Sequence, residues 1–280
     1  VIDRRFHPEN ARVAHASLGA AARAPERTEG TPMRCRRPVA DLCESPGGAR
    51  DKQVLFGEEL QVLESHAGWA FAIHGADGYV GYVAQEALEP VGAAATHRVV
   101  ARSTHVYGEA DMKSPERFSL SFGARLTALH ETEGFLALEG GGYVPLQHVA
   151  PLSETAADPA AIAELFLGTP YLWGGNSGFG IDCSGLVQAA MWAAGQACPR
   201  DSDLQAALGA PVADVAELAR GDIVCWRGHV GMMLDASRLI HANAHHMAVA
   251  IEPLAQARHR IAEREFGEIT ALRRVTPARP

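Results

Sequence analysis

The sequence predicts a multidomain protein in which two small all-β barrels precede an α+β domain. Three observations carry that reading: an internal repeat, the short alternating apolar segments inside each copy, and a change of pattern after Pro151. Residues 56–71, FGEELQVLESHAGWAF, match residues 122–137, FGARLTALHETEGFLA, at a constant offset. Phe56, Gly57, Leu60, Leu63 and Gly68 fall on Phe122, Gly123, Leu126, Leu129 and Gly134, and Trp69 falls on Phe135. After a small shift Gly78-Tyr79-Val80 meets Gly142-Tyr143-Val144. Segments such as LQVLE, WAFAI and YVGYV alternate at a period of two and are punctuated by Gly and Asp, the pattern of a small barrel. The barrels are placed at 34–92 and 97–152, behind an arm of residues 1–33 that shows no clear periodicity.

The domain after Pro151, residues 153–280, begins with helices. Asp158-Pro159 offers an N-cap and a proline at the first helical position, so AAIAELFLG reads as a helix ending near Gly168. A second helix runs from about Cys183 to Ala194, with Leu186, Val187, Ala190, Met191 and Ala194 on one face and Gly195 as its stop. The runs DIVCW, HVGMMLD, RLIHAN and AVAIEPL then suggest an antiparallel sheet. Helices first and strands afterwards give the α+β class.

Composition narrows the function. The chain has 280 residues, 47% of them hydrophobic and 21% charged, with a formal charge of −8. It therefore buries a sizeable core, and it lacks the basic face that nucleic acid requires. The apolar runs are too short to span a bilayer as a helix. Five cysteines without a CxxC pair argue against a disulfide framework or a zinc knuckle. The first thirty residues contain no apolar core of a signal peptide, so the expected location is the cytoplasm, or the periplasm or exterior if a leader has been removed. The expected partner is a small molecule or a peptide, and the oligomeric state is not fixed by the sequence.

Cys183 is the first candidate for chemistry. At the head of a helix, unpaired N–H groups and the positive end of the dipole favour a thiolate, the nucleophilic form. A base and a group to orient it are also required. His229 opens one expected strand and His241 lies near the end of the next, so a hairpin through Ala236 and Ser237 brings the two together in a suitable register. The competing reading of a free cysteine is a small buried hydrophobe, and it is preferred for Cys35, Cys43, Cys198 and Cys225. Asp182, directly ahead of the helix, reads as its N-cap. The histidines of HANAHH (His241, His245, His246), with His229 nearby, raise a metal site, but neighbours on a strand alternate faces and fit a tetrahedral ion poorly.

YLWGGNSGFGIDCSGLVQ, followed by PRDS, GDIVCW, HVG and IHA, resembles the NlpC family of bacterial cell-wall cysteine peptidases over roughly residues 160–255. The resemblance implies a papain-like core in which Cys183 attacks a peptide carbonyl, His229 is the base, His241 orients it, and Tyr171 stands near the oxyanion beside the backbone N–H of the nucleophile. The repeated segments resemble bacterial SH3-like barrels. Together these features resemble the γ-D-glutamyl-L-diamino acid endopeptidases of murein peptide recycling, which require a free N-terminal L-Ala. An acceptor-rich pocket for that ammonium would draw on Asp182, on Glu44 in the loop LCESPGG and on Tyr79, for which Tyr82 competes. Ser184 and Ser202 would hydrogen-bond the D-Glu carboxylate or the substrate backbone. No cofactor is implied. The alternatives are an exported hydrolase of intact wall, a non-catalytic binding module and a papain-like acyltransferase.

Overall fold

The computed structural model describes residues 2–275, which divide into two compact units, 1–152 and 153–280. In the first unit a seven-stranded sheet runs in the order Arg50–Leu55, Val39–Cys43, Val80–Ala84, Trp69–His74, Glu59–His66, Thr31–Cys35, Leu88–Pro90. Its pairings are antiparallel. Alternate residues turn inward, as the period-two pattern requires. Cys35, Leu42, Val54, Leu60, Ala70, Tyr79 and Val83 form one buried cluster. The sheet takes in Thr31–Met33, three residues that the sequence alone leaves in the arm, because the Thr31–Cys35 strand pairs with Glu59–His66 along its edge. The arm itself is docked: Val13 is buried with Leu63, Phe71 and Val80.

Residues 97–151 repeat this order of strands in a five-stranded and a three-stranded sheet. The repeat extends to backbone conformation. Both long hairpins turn through two residues of positive φ, Ala67 (50°) and Gly68 (81°) in the first and Glu133 (48°) and Gly134 (81°) in the second. A two-residue loop with both central φ values positive matches the twist of the flanking strands, and glycine takes that conformation without a Cβ clash. Apolar periodicity therefore follows turn chemistry in each copy. Val99, Val106, Leu120, Leu126, Leu136 and Val144 form the second cluster.

The first sheet also buries charge. Lys52 Nζ lies 2.6 Å from Asp77 Oδ2, His74 Nδ1 lies 2.7 Å from Asp77 Oδ1, and His74 Nε2 lies 3.3 Å from Glu58. Burial alone pushes the Asp77 carboxyl up, but Lys52 and His74 outweigh it and hold the group far below the usual carboxylate range. Burial likewise raises Glu58, and His74 and Lys52 bring it down. Lowered carboxylates contribute stability above their unfolded-state range, and that stability is lost as pH falls through it. Replacing Lys52 by Met strips Asp77 of one of its two partners, leaving His74, and chemical denaturation at neutral pH is expected to show a loss of about 3 kcal/mol.

In the second unit the helices are α1 (Pro159–Leu165), α2 (Cys183–Ala193), α3 (Ser202–Gln205) and α4 (Leu254–Arg264). Asp158 caps α1 by accepting from Ala160 N, and Pro159 stands at its start. α1 ends before Gly168, which is left in the positive-φ region at 78°. A six-stranded antiparallel sheet runs in the order Ala210–Pro211, Ala271–Arg274, Ile223–Trp226, His229–Met233, Arg238–Asn243, Ala248–Pro253. α2 packs against the His229–Met233 and Arg238–Asn243 strands, which are buried almost throughout. α4 contributes Leu254, Ala257 and Ile261 to a cluster with Trp226, Met233 and Leu239. Neither α4 nor the strands Ala210–Pro211 and Ala271–Arg274 are among the elements expected from sequence. The signal for α4 is the spacing of Leu254, Ala257 and Ile261, one face of a helix.

Candidate active site

Cys183 is the first residue of α2, and Asp182 is the N-cap, its Oδ1 accepting from Gly185 N at 2.7 Å. The cap is itself gripped. Arg200, fully buried, donates to Asp182 Oδ2 at 2.7 Å, to Ser184 Oγ at 2.6 Å and to Asn176 Oδ1 at 2.8 Å. Gly174 N adds a bond to Oδ2, and the Ser184 hydroxyl donates to Oδ1. Two donors on each oxygen fill the usual acceptor positions of a carboxylate. Of the two readings of Asp182, the cap is visible, and Ser184 belongs to the same internal network. Burial acts to lower the Arg200 guanidinium, and Asp182 more than offsets it.

Burial, then the Asp182 carboxylate, push the Cys183 thiol up to about 12. The helix terminus favours the anion, but the sulfur is enclosed and a carboxylate stands beside it. Hydrogen bonds from the backbone of Val230 and Ser184 act in the opposite direction. The Val230 contact places the sulfur against the opening of the His229–Met233 strand.

His229 Nε2 is 2.8 Å from His241 Nδ1. The register that forms the pair is the one the sequence leaves open: Met232 faces Ile240 and Met233 faces Leu239, with the chain reversing between Leu234 and Arg238. Continued toward His229, that register sets Gly231 opposite His241. A Cβ on Gly231 would meet Leu239 Cδ1 at 2.8 Å and His241 Cβ at 3.1 Å, so the close approach of the strands at the pair requires glycine. Phe266 stacks on His229 with centroids 5.4 Å apart, and Trp226 lies on the ring at 5.6 Å. Burial lowers His229 well below the ordinary histidine range, and His241 and Arg260 lower it further. Burial thus acts against the charged form of both the thiol and the imidazole.

His241 Nε2 lies 2.7 Å from Glu252 Oε1, so both its ring nitrogens are engaged. His246 turns to Asn243, and His245 is exposed. Among the described residues no group of three or more His, Cys, Asp or Glu side chains is arranged to hold a metal ion.

The remaining candidates lie as follows. Tyr171 is half-buried and bridges to Ile181, next to the cap; burial, then the Cys183 and Asp182 charges, raise its phenol. Ser202 is the half-buried first residue of α3. In the 1–152 unit, Glu44 sits on an exposed turn closed by Glu44 N to Ala49 O. Tyr79 is buried in the first core, its ring 5.8 Å from Phe6, whereas Tyr82 is half-buried against Phe71. Sequence reasoning missed Glu252 and Arg260 outright.

Residues 168–262 match the NlpC/P60 family and residues 42–88 match the bacterial dipeptidyl-peptidase Sh3 domain. Two relatives, both named gamma-D-glutamyl-L-lysine dipeptidyl-peptidase, come from Bacillus subtilis and Bacillus cereus. The first is 29% identical over 68% of this chain and 71% of its own length, the second 27% identical over 73% and 70%. A crystal structure of an NlpC/P60 family protein from Bacillus cereus shares the fold, with a TM-score of 0.75 at 22% identity over 88% of this chain and all of that one. The chain thus carries an NlpC/P60 domain and, ahead of it, a bacterial SH3 domain, and it is a hydrolase of the cysteine-peptidase class.

Proposed function

We propose that the protein hydrolyses the bond between γ-D-Glu and the diamino acid of murein peptides that begin with a free L-Ala, releasing L-Ala-γ-D-Glu for peptide recycling in the cytoplasm. The observation that carries the chemistry is the 2.8 Å His229–His241 pair, with the helix-head thiol of Cys183 hydrogen-bonded to the backbone of Val230, the residue after His229; the names of the relatives support the substrate class. The thiol S–H bond breaks as sulfur attacks the carbonyl carbon, and its proton passes to His229. The carbonyl π pair moves to oxygen, where the Cys183 N–H and the Tyr171 hydroxyl receive it; one such donor contributes about 3 kcal/mol. His229 then protonates the leaving amine, and water hydrolyses the thioester through the same base.

On this reading the domain is a papain-like α+β core at residues 153–280, and residues 34–92 and 97–152 are two SH3-like barrels. An acceptor group for the L-Ala ammonium completes the requirements of this reading. Ser184 and Ser202 meet the D-Glu carboxylate or backbone. Mass spectrometry of L-Ala-γ-D-Glu-L-Lys, of its diaminopimelate counterpart and of the N-acetylated peptides tests it. The free peptides are expected to be cleaved at least ~100-fold faster, the effect of leaving a buried polar site unpaired. Equal cleavage of free and acetylated peptides removes the ammonium pocket, and release of peptides from intact sacculi moves the enzyme to wall digestion.

A further inference from the structure

Three adjacent strands place three polar side chains in a line. His241 faces Ala250 across the strand pair, and Glu252 faces Leu239, so Glu252 is the diagonal neighbour of His241 on the same face of the sheet. His229 occupies the diagonal position on the other side through the register that opposes Gly231 to His241. Hydrogen bonds join the line, 2.8 Å from His229 Nε2 to His241 Nδ1 and 2.7 Å from His241 Nε2 to Glu252 Oε1. Behind it, Arg260 of α4 donates to Glu252 Oε1 at 2.5 Å and also pairs with Glu265. His246 Nδ1 stands 3.8 Å from the same carboxylate oxygen.

We propose that Glu252 is a positioning residue that fixes the proton arrangement of both histidines, leaving His229 Nδ1 bare to take the thiol proton. This rests on the reading of Cys183 and His229 as nucleophile and base. An ionised carboxylate only accepts, so His241 carries its proton on Nε2. His241 Nδ1 must then accept, which places the His229 proton on Nε2. The opposite arrangement would put a proton on His229 Nδ1 and leave the thiol without a base. When the thiol proton arrives on Nδ1, the imidazolium keeps its Nε2 hydrogen bond to His241, and His241 keeps its own to Glu252. No proton leaves the line, and the carboxylate stabilises the new charge through the intervening ring. Burial pushes the Glu252 carboxyl up, but His241 and Arg260 outweigh it and hold it at about 2, so it is ionised throughout the working range. Burial lowers His241; Glu252 raises it, and Arg260 and His246 lower it.

The test uses Glu252→Gln, which keeps an acceptor and removes the charge, and Glu252→Leu, which removes both. With L-Ala-γ-D-Glu-L-Lys as substrate, Glu252→Gln is expected to lower kcat about tenfold and Glu252→Leu about 100-fold, with KM within about twofold. Loss of the negative charge disfavours imidazolium, so the acid limb of the kcat/KM profile moves to lower pH by about one unit in Glu252→Gln. A residue that only braced the strand would leave that limb in place. Nitrogen-15 histidine spectra of the wild-type protein give a second reading that needs no variant: His229 is expected with a bare Nδ1 and a protonated Nε2. A proton on His229 Nδ1, or a Glu252→Gln enzyme with wild-type kcat and acid limb, overturns the assignment. If those outcomes occur while Cys183→Ser is inactive, only the role of Glu252 fails; a Cys183→Ser enzyme that keeps the full rate defeats the underlying reading instead.

Discussion

Replacing Cys183 by Ser is expected to lower kcat/KM for L-Ala-γ-D-Glu-L-Lys about 10⁴-fold or more, a loss near 5.5 kcal/mol of transition-state stabilisation. Serine preserves the size of the side chain and the helix start, so the thermal midpoint should stay within a few degrees. His229→Ala should fall by a similar factor. The double variant Cys183→Ser/His229→Ala should be little worse than either alone, because the nucleophile is useless without its base and the base without its nucleophile. Additive losses in the double variant, measured by dipeptide release, would show that the two residues do not act as a unit. The physical ground is the resting state. Burial and the Asp182 carboxylate push the Cys183 thiol up, and on the proposed mechanism its attack is coupled to proton transfer onto the imidazole.

Arg200→Leu should be the most damaging substitution among the polar residues of the peptidase unit. The guanidinium satisfies Asp182, Ser184 and Asn176 at once and is almost inaccessible to water. Leucine leaves the Asp182 carboxylate buried without its cation, and the expected cost is about 3–5 kcal/mol in unfolding free energy. Activity should fall as well, because the cap of the helix that presents Cys183 loosens with it. Denaturant titration beside single-turnover kinetics separates the two effects. A second replacement, Asp182→Asn with Arg200→Leu, removes charge from both sides and should recover part of the stability without recovering the rate. Lack of recovery would show that the pair is not the origin of the loss.

How much of this was legible beforehand depended on the range of the interactions. The repeat was legible because hairpins are local: the alternation of LQVLE and WAFAI and the glycines at 68 and 134 act within a few residues, and the observed turns fall on them. The helix at 183 was legible for the same reason, since Asp182 caps it through Gly185 three residues away. α4 was missed although its apolar spacing was present, because its exposed face is rich in charge and it follows a strand without a side-chain cap.

By itself the sequence determined the order of the elements, the place of Cys183 at a helix start and the two histidines on successive strands, all properties of short windows or of motif order. Tertiary structure decided three further things: that the register aligns His229, His241 and Glu252, that Arg200 reaches across sixteen residues to Ser184 and eighteen to Asp182, and that the Cys183 thiol is buried beside the Asp182 carboxylate. Each depends on which side chains are enclosed together away from water. A strand can slide by a residue without changing its sequence pattern, and a thiol loses its solvent only when the chain closes over it.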